Sequence, residues 1–332
     1  MFSTRLPSIP KKLGSRFMTS STETITSSSS PLPVIYNDAY RDFKPVQTKM
    51  PSRKSQWKTT EAASLSRQSF LDVLLGNTPL ISERGFVSQE TSERFEAVLT
   101  EKMIPYSHIA GPEVQKVGLA QFEFQAQSAE DFQHRSDEKA RYFAEVQKIS
   151  GLHEELASQT GLNLWQKVFN AIASLLPDYD VMVAQEGPGR RYFAGIYRAI
   201  NESTPVHCDW SPYDSLTEDW IINRISHQAV FNLYLTPVHG GHTVIHDQPW
   251  TEQALAFRDP NSYGYHANVV AGTKHAIIQP EVGQLCIFNT RNMHQVFPVT
   301  QGSNRPRLAF SSFMGLLPAV NAQEKPTLIF WS

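Results

Sequence analysis

The C-terminal part of the chain, after about residue 180, is a series of short apolar or alternating runs separated by Gly, Pro, Asn and Asp, and this pattern limits the fold more than any other feature. Such runs are typical of β-strands joined by turns. Their number favours an antiparallel barrel or a jelly roll, which can hold one small ligand in its mouth. The predicted strands are Val181–Ala184, Tyr192–Ile196, Val230–Leu235, His242–His246, His275–Gln279, Gln284–Phe288, Gln295–Val299 and Arg307–Phe313.

The region before these strands has helical periodicity. Between Leu162 and Leu176, apolar side chains recur every three to four residues, and Gly161 and Pro177 bracket the segment. That spacing predicts an amphipathic helix packed on a core. We therefore expect an α+β protein, with a mainly helical region over 56–180 packed on a β core over 181–332. Further helices are predicted over Ser64–Leu75, Gln89–Leu99 and Ser136–Leu156.

The first 55 residues are polar, with scattered Pro and basic residues, and predict a disordered tail. Residues 1–22 contain basic but no acidic residues and are rich in Ser and Thr, a composition that resembles a mitochondrial presequence. Pro7 and Pro10 interrupt any early amphipathic helix, which favours the disordered tail. We expect a cytoplasmic protein, with a mitochondrial location as the alternative if residues 1–22 act as a presequence.

Charge and composition disfavour several classes of function. Thirty basic and 32 acidic residues give a net charge of −2, without the basic excess of a nucleic-acid-binding protein. No apolar run approaches the length of about 18 residues that indicates a transmembrane helix. Cys208 and Cys286 are too few for a disulfide framework, which fits a reducing compartment. We expect a small-molecule substrate and neither a nucleic-acid nor a membrane partner, while the oligomeric state is not determined by the sequence.

A His-x-Asp pair lies in the segment Thr204–Trp210. Alternate residues of an extended strand point to the same side, so His207 and Asp209 can be directed at one metal ion while Cys208 points away. A second imidazole from a distant strand completes a two-histidine, one-carboxylate triad, which suits iron(II) and leaves coordination positions open. A His-x-Asp pair alone is weak evidence, because it occurs often by chance.

The sequence around the candidate third ligand, His294, is more specific. The segment Gly283–Asn289 reads Gly-Gln-Leu-Cys-Ile-Phe-Asn, and His294 then precedes Val296 and a Pro-Val pair. A basic residue follows at the start of the last core strand, and a Gly-Gly pair precedes the strand that begins near His242. In this order the elements resemble the iron(II)/2-oxoglutarate-dependent dioxygenases over about residues 190–315.

This resemblance implies a double-stranded β-helix core of the jelly-roll, cupin-like kind. It also implies that His207, Asp209 and His294 bind iron(II) and carry catalysis, with 2-oxoglutarate and O2 as cosubstrates and ascorbate as a candidate reductant. The expected reaction is hydroxylation, desaturation or cyclisation at an unactivated carbon of a small molecule, for which an amino acid or a secondary metabolite is the favoured class. Halogenation is disfavoured, because halogenating members lack the carboxylate that Asp209 provides.

The distal carboxylate of 2-oxoglutarate requires a cation inside the core, and arginine offers a planar fork for it. Arg307 and Arg305 are the candidates. Arg307 is favoured, because it begins a predicted strand and shares parity with Ala309, Ser311 and Phe313, whereas Arg305 lies in the preceding turn. The alternative for either residue is a solvated hairpin arginine.

Other polar residues are further candidates. Asn232 and Tyr234 share parity on one predicted strand, where they either line the pocket and hydrogen-bond 2-oxoglutarate or face solvent. Thr243, after the Gly-Gly pair, is a similar candidate. Arg198 is a candidate for contacting a substrate carboxylate, with solvent exposure as the favoured alternative. The competing functions are a protein side-chain hydroxylase of the same fold and a non-catalytic metal-binding jelly roll.

Overall fold

A computed structural model describes residues 44–107, 111–125, 135–215, 218–260, 262–300, 305–319, 321 and 323–332. The predictions for residues 1–43, including the presequence, lie outside this range. Within residues 44–55, the side chain of Met50 is buried, and Arg53 forms an ion pair with Asp247 at 2.6 Å. No helix in the part of the chain that the structure describes is both long and apolar enough to cross a membrane.

The helices are placed largely as their apolar spacing predicts, and side chains cap several of them. Ser88 accepts a hydrogen bond from the backbone N–H of Thr91, and Asn163 accepts one from Gln166. Such caps satisfy backbone donors that a helix leaves unpaired at its start. The helices are α1 (Arg67–Leu74), α2 (Gln89–Thr100), α3 (Arg135–Lys148), α4 (Leu152–Thr160), α5 (Leu164–Ala173) and α6 (Ser211–Asp214), with 3₁₀ turns at Gln121–Phe124, Ile221–Arg224, Glu252–Phe257 and Ala267–Val270.

The described strands form two sheets that are antiparallel apart from one parallel pair. The main sheet has nine strands in the order β1-β9-β6-β11-β5-β3-β2, with β12 beside β11 and β4 parallel to β12. The small sheet has the order β10-β7-β8. The strands are β1 (Leu80–Glu83), β2 (Ile104–Pro105), β3 (Val114–Val117), β4 (Asp180–Val183), β5 (Ile196–Ile200), β6 (His227–Tyr234), β7 (Thr243–Pro249), β8 (His275–Ile278), β9 (Leu285–Phe288), β10 (Asn292–Val296), β11 (Leu308–Leu317) and β12 (Thr327–Trp331).

Helices cover one face of the main sheet, which we call the outer face. Phe95 of α2 stacks on Tyr197 of β5 with ring centroids 6.0 Å apart, and His153 of α4 meets Phe310 of β11 edge-on at 6.0 Å. The buried side of α5 joins the same core. Each large apolar side chain removed from water here contributes about 1.5–3 kcal/mol. The helices therefore hold the main sheet in place from outside.

The opposite face of the main sheet, the inner face, is opposed by the small sheet. The register pairs Ala309 with Tyr234 and Ser311 with Asn232, so these side chains share the inner face. Ile245 of β7 packs in the same apolar cluster as Tyr234, from the small-sheet side. The two sheets thus enclose an interior that is lined by both apolar and polar side chains.

Four strands were not predicted. The strands β1, β2 and β3 lie in the region expected to be helical and contain only two to four residues each, too few to produce an alternating pattern. They join the main sheet, so the region 56–180 contributes strands as well as helices. The fourth, β12, is the last strand in chain order. The domain boundaries at residues 55 and 180 stay predictions.

Several predicted elements have shifted bounds in the structure, among them the strand predicted at Gln295–Val299, which is Asn292–Val296, and two others differ more than in their ends. The strand expected at Tyr192–Ile196 begins only at Ile196, because the backbones of Tyr192 and Phe193 bond instead to Ala184 and Ser332. Tyr192 and Phe193 are buried, and their apolar character therefore reflects burial in the core instead of a position in a β-strand. The helix expected over Ser136–Leu156 is two helices, α3 and α4, separated near Gly151.

The loop before β9 depends on Gly283, which joins the helical region to the main sheet. Gly283 has φ +73°, and an added Cβ would overlap the backbone oxygen of Val87. We predict that Gly283→Ala lowers the free energy of unfolding by about 2–4 kcal/mol, from backbone strain plus overpacking. Gly85→Ala is the matched control, with φ +65° and no atom near the added Cβ, and should lose only about 1 kcal/mol. Equal losses in urea denaturation would contradict the prediction.

Burial, followed by repulsion from His275 and His294, lowers the pKa of His246 to about 3. Histidine in an unfolded chain has a pKa of about 6.5. Between these values only the unfolded chain binds the proton, so stability falls as the pH drops from about 6.5 towards 3. We predict that His246→Leu removes about 2 kcal/mol of the stability lost between about pH 7 and pH 5. Urea denaturation at both pH values measures this, and an undiminished loss in the variant would argue against it.

Candidate active site

The backbone brings His207 and His294 side by side. The N–H of His207 donates to the carbonyl of His294 at 2.8 Å, and the N–H of His294 donates to the carbonyl of His207 at 2.7 Å. The N–H of Asp209 donates to the carbonyl of Thr290 at 2.9 Å, so the segment runs antiparallel along β10. The expected extended conformation of the His-x-Asp segment is therefore present, and the small sheet carries it.

Three ligand atoms converge at this place. One side-chain atom each of His207, Asp209 and His294 lies within 4.8 Å of the others, as in a site that can hold a metal ion. His294 Nε2 is 3.5 Å from Asp209 Oδ2, and the two imidazole centroids are 4.2 Å apart. No other group of three or more His, Cys, Asp or Glu side chains in the described residues is arranged in this way. The other histidines in the described ranges, including His239 and His242, are accordingly not assembled into a second centre of this kind.

Hydrogen bonds to carbonyl groups fix which nitrogen of each imidazole faces the centre. His207 Nδ1 is 2.8 Å from the carbonyl of Pro205, and His294 Nδ1 is 2.9 Å from the carbonyl of Asn292. A carbonyl oxygen only accepts, so each Nδ1 carries a proton and donates it. The lone pair is then on Nε2 in both rings, the arrangement found in metal-binding histidines.

The electrostatic environment keeps the ligands in their metal-binding forms. Burial, followed by repulsion from His294, lowers the pKa of His207 to about 4, so its imidazole is neutral at pH 7. Burial alone would raise the pKa of Asp209, but the close approach of His294 Nε2 and the electrostatic influence of His207, His294 and Arg198 outweigh burial and hold this pKa below its usual value. Two imidazoles and one carboxylate form a donor set that fits iron(II).

Arg307 is buried, just before β11, on the side of the chain that faces the interior. Its Nη1 donates to the carbonyl of Gly241 at 2.8 Å. Burial lowers the pKa of its guanidinium, and the nearby Tyr234 opposes this effect. Gly241 has φ +65°, and a Cβ there would lie 3.1 Å from Arg307 Cδ. The absence of a side chain at Gly241, in the Gly-Gly pair noted in the sequence, therefore leaves room for the aliphatic part of the Arg307 side chain.

Arg305 lies apart from Arg307. Its guanidinium forms a two-bond ion pair with the carboxylate of Glu96, on α2. That carboxylate belongs to the helical layer on the outer face, and the pair is partly exposed. The solvated alternative considered for this residue therefore describes its position better than a pocket role does.

The other polar candidates lie on the inner face or at its edge. Asn232 and Tyr234 are both on the inner-face side of β6. Tyr234 and Thr243 are buried, and Thr243 lies close enough to Tyr234 to oppose the rise that burial causes in the pKa of its phenol. Tyr234 also lies within electrostatic range of Arg307, so the two residues and Thr243 belong to one polar group.

Sequence reasoning missed the N-terminal contribution to this region. Lys116 of β3 pairs in register with Arg198 of β5, and the guanidinium of Arg198 lies over the ring of Tyr106 at 5.7 Å. Arg198, expected to be solvent-exposed, is half-buried on the inner face. No short motif marks these residues, because Tyr106 and Lys116 lie far from Arg198 in the chain.

Sequence comparison finds no matching family model but does find relatives. Leucinostatins biosynthesis cluster protein S of Purpureocillium lilacinum is 35% identical over 231 residues, which cover 68% of this chain and 89% of that protein. The L-γ-glutamyl-L-propargylglycine hydroxylase of Streptantibioticus cattleyicolor is 30% identical over 133 residues, 39% of this chain and 46% of that enzyme.

Structure comparison gives a consistent result. The crystal structure of an N-substituted L-amino acid dioxygenase from Burkholderia ambifaria matches with a TM-score of 0.50 and 13% identity, over 79% of this chain and 90% of that one. The same enzyme in complex with α-ketoglutarate, which is 2-oxoglutarate, matches equally well. At this identity the match shows a shared α+β fold with antiparallel sheets. Together with the sequence relatives and the His-Asp-His centre, it shows that the chain belongs to the iron(II)/2-oxoglutarate-dependent dioxygenases.

Proposed function

We propose that this enzyme oxidises an unactivated carbon of a small, amino-acid-derived molecule, with iron held by His207, Asp209 and His294 and 2-oxoglutarate held by Arg307. The observation that carries the proposal is the reciprocal backbone pairing of His207 with His294, which sets two Nε2 atoms and one carboxylate around a single point. The core is then a double-stranded β-helix of the jelly-roll kind. Two opposed antiparallel sheets and the similarity to the solved dioxygenase support this description.

The chain's own residues prepare the metal site. The carbonyl groups of Pro205 and Asn292 hold the two imidazole rings with Nε2 towards Asp209. Three protein ligands would leave room at a bound metal for a cosubstrate. Iron(II) held there together with 2-oxoglutarate would supply an oxidant made from O2, with 2-oxoglutarate converted to succinate and CO2. Ascorbate is proposed only as a reductant that keeps the iron in the iron(II) state.

Arg307 is the proposed partner for the distal carboxylate of 2-oxoglutarate. Its charge is buried, and no carboxylate of the described residues is paired with it. A buried guanidinium is stabilised when a carboxylate binds it through its fork. The hydroxyl groups of Tyr234 and Thr243 and the amide of Asn232 are proposed to hydrogen-bond the same cosubstrate, since they share the interior with Arg307.

The substrate class rests on what the relatives are named for. One relative hydroxylates a γ-glutamyl dipeptide, another acts on N-substituted L-amino acids, and a third belongs to a biosynthesis cluster. We therefore propose an amino acid or a short amino-acid conjugate of secondary metabolism as the substrate. Hydroxylation is the favoured outcome, with desaturation and cyclisation as the alternatives. A cytoplasmic location, and the absence of nucleic-acid and membrane partners, remain part of the proposal.

The test is a turnover screen. The purified protein is incubated with iron(II), ascorbate, 2-oxoglutarate and a panel of L-amino acids, N-acyl amino acids and γ-glutamyl dipeptides. We expect stimulated succinate formation together with a product of altered mass, both lost in His207→Ala. Stimulation only by folded proteins or long peptides would favour a protein side-chain hydroxylase instead. An absence of both iron binding and succinate formation would refute the proposal.

Loss of a ligand should weaken metal binding strongly. We predict that Asp209→Ala and His294→Ala each lower the affinity for iron(II) or its redox-stable substitute Ni(II) by at least about 100-fold, since even outer partners of metal ligands contribute about 10- to 100-fold. Cys208→Ala is the control, because this buried residue lies between two ligands in sequence but outside the His-Asp-His cluster. Calorimetric titration measures all three, and unchanged affinity in the ligand variants would count against the triad.

Removing the guanidinium at position 307 should act on the cosubstrate. We predict that Arg307→Gln raises the KM for 2-oxoglutarate about 10- to 100-fold, because a hydrogen bond to a charged group contributes about 1.5–3 kcal/mol. Arg305→Gln is the control, because its partner is Glu96, and should leave this KM unchanged. Thermal melting verifies that both variants fold. If Arg305→Gln has the larger effect, the assignment of the two arginines is reversed.

A further inference from the structure

The inner face of the main sheet carries a second cation besides Arg307. Arg198 of β5 lies opposite Ala309 of β11 on one side and opposite Lys116 of β3 on the other. Ala309 in turn lies opposite Tyr234 of β6. Residues directly opposite each other in antiparallel strands point to the same face. Tyr234, Ala309, Arg198 and Lys116 therefore form one row across the inner face.

Arg198 has no carboxylate partner among the described residues. Arginines elsewhere do pair, as Arg53 does with Asp247 and Arg305 with Glu96. The guanidinium of Arg198 is half-buried and rests on the ring of Tyr106, with 5.7 Å between its Cζ and the ring centroid. A cation–π contact holds the group in place but does not neutralise its charge.

The nearby carboxylates are already engaged. Glu123 forms a buried ion pair with Lys116 and also accepts hydrogen bonds from the backbone of Ser107 and Ala120. Asp209 lies within electrostatic range of Arg198 but beyond ion-pair distance, and it is a candidate metal ligand. A half-buried cation placed beside a metal site with no anion of its own is suited to an anion that arrives with a ligand.

From this geometry we infer that Arg198 binds a carboxylate of the substrate and so selects substrates that carry a free acid group. The inference rests on the proposed function, in which the distal carboxylate of 2-oxoglutarate occupies Arg307. Two arginines on one face, neither paired with a carboxylate in the described part of the chain, then meet two different anions. The face of Tyr106 holds the guanidinium while its fork takes the second carboxylate, and the substrate lies between this anchor and the metal ligands. The substrate class is a carboxylic acid, such as an amino acid conjugate with its α-carboxylate unblocked.

The experiment compares matched acids and amides. Binding of N-acetyl-L-amino acids with apolar side chains, and of their uncharged carboxamides, is measured under anaerobic conditions on the protein loaded with iron(II) and 2-oxoglutarate. We expect at least one acid to bind wild type about 10- to 100-fold more tightly than its amide, the range for a charge-assisted bond. Arg198→Gln should abolish this preference and Arg198→Lys should keep part of it, because lysine retains the charge without the fork.

Arg141→Gln is the matched control, since that arginine also rests on an aromatic ring, Phe124, but on α3 and paired with Glu138. It should keep the full preference for acids. The inference is overturned if no acid binds wild type better than its amide, if Arg198→Gln keeps the preference while melting like wild type, or if Arg198→Gln loses 2-oxoglutarate binding instead. Failure of the proposed function is separate, because it is seen in wild type as absent metal binding and absent succinate formation.

Discussion

The two backbone hydrogen bonds between His207 and His294 are the interaction on which the candidate site depends. They join a segment outside the named strands to β10, and they set the spacing of the two imidazoles before any metal arrives. Each ring also donates a hydrogen bond from Nδ1 to the carbonyl group two residues earlier in the chain. The orientation of the ligands is therefore a property of the backbone, and the small sheet preorganises the centre.

The charges of the interior are divided between the two sheets. The small sheet and the segment paired with it carry the imidazoles and the carboxylate of Asp209. The main sheet and the residue just before β11 carry the guanidinium groups of Arg198 and Arg307, which pair with no carboxylate of the described residues. Burial makes an unpaired cation costly, so both groups favour a ligand that brings negative charge. A dianionic cosubstrate and an acidic substrate together would supply this negative charge, whereas water carries no charge to neutralise the two cations.

The His-Asp-His cluster was predictable from sequence because strand parity couples His207 to Asp209 and because the segment around His294 has a recognisable order. Strand parity also led to the preference for Arg307 over Arg305 as the partner of 2-oxoglutarate. The carbonyl partners of the imidazoles were not predictable, because every residue has a backbone carbonyl group and the sequence does not show which one accepts the hydrogen bond. The half-buried position of Arg198 was not predicted, because its partner Tyr106 directly follows a two-residue strand that is too short to give a periodic pattern.

The row that runs from Tyr234 to Lys116 crosses from the β core into β3, which the region before residue 180 contributes. One wall of the interior is thus built by a part of the chain in which no family pattern is recognisable, while the opposite wall carries the His-Asp-His cluster. In the proposed function, the metal centre sets the reaction, and the wall with Arg198 selects the substrate. Exchanging the β2–β3 hairpin between relatives would be a direct way to redirect this oxygenase to new acids without rebuilding its metal centre.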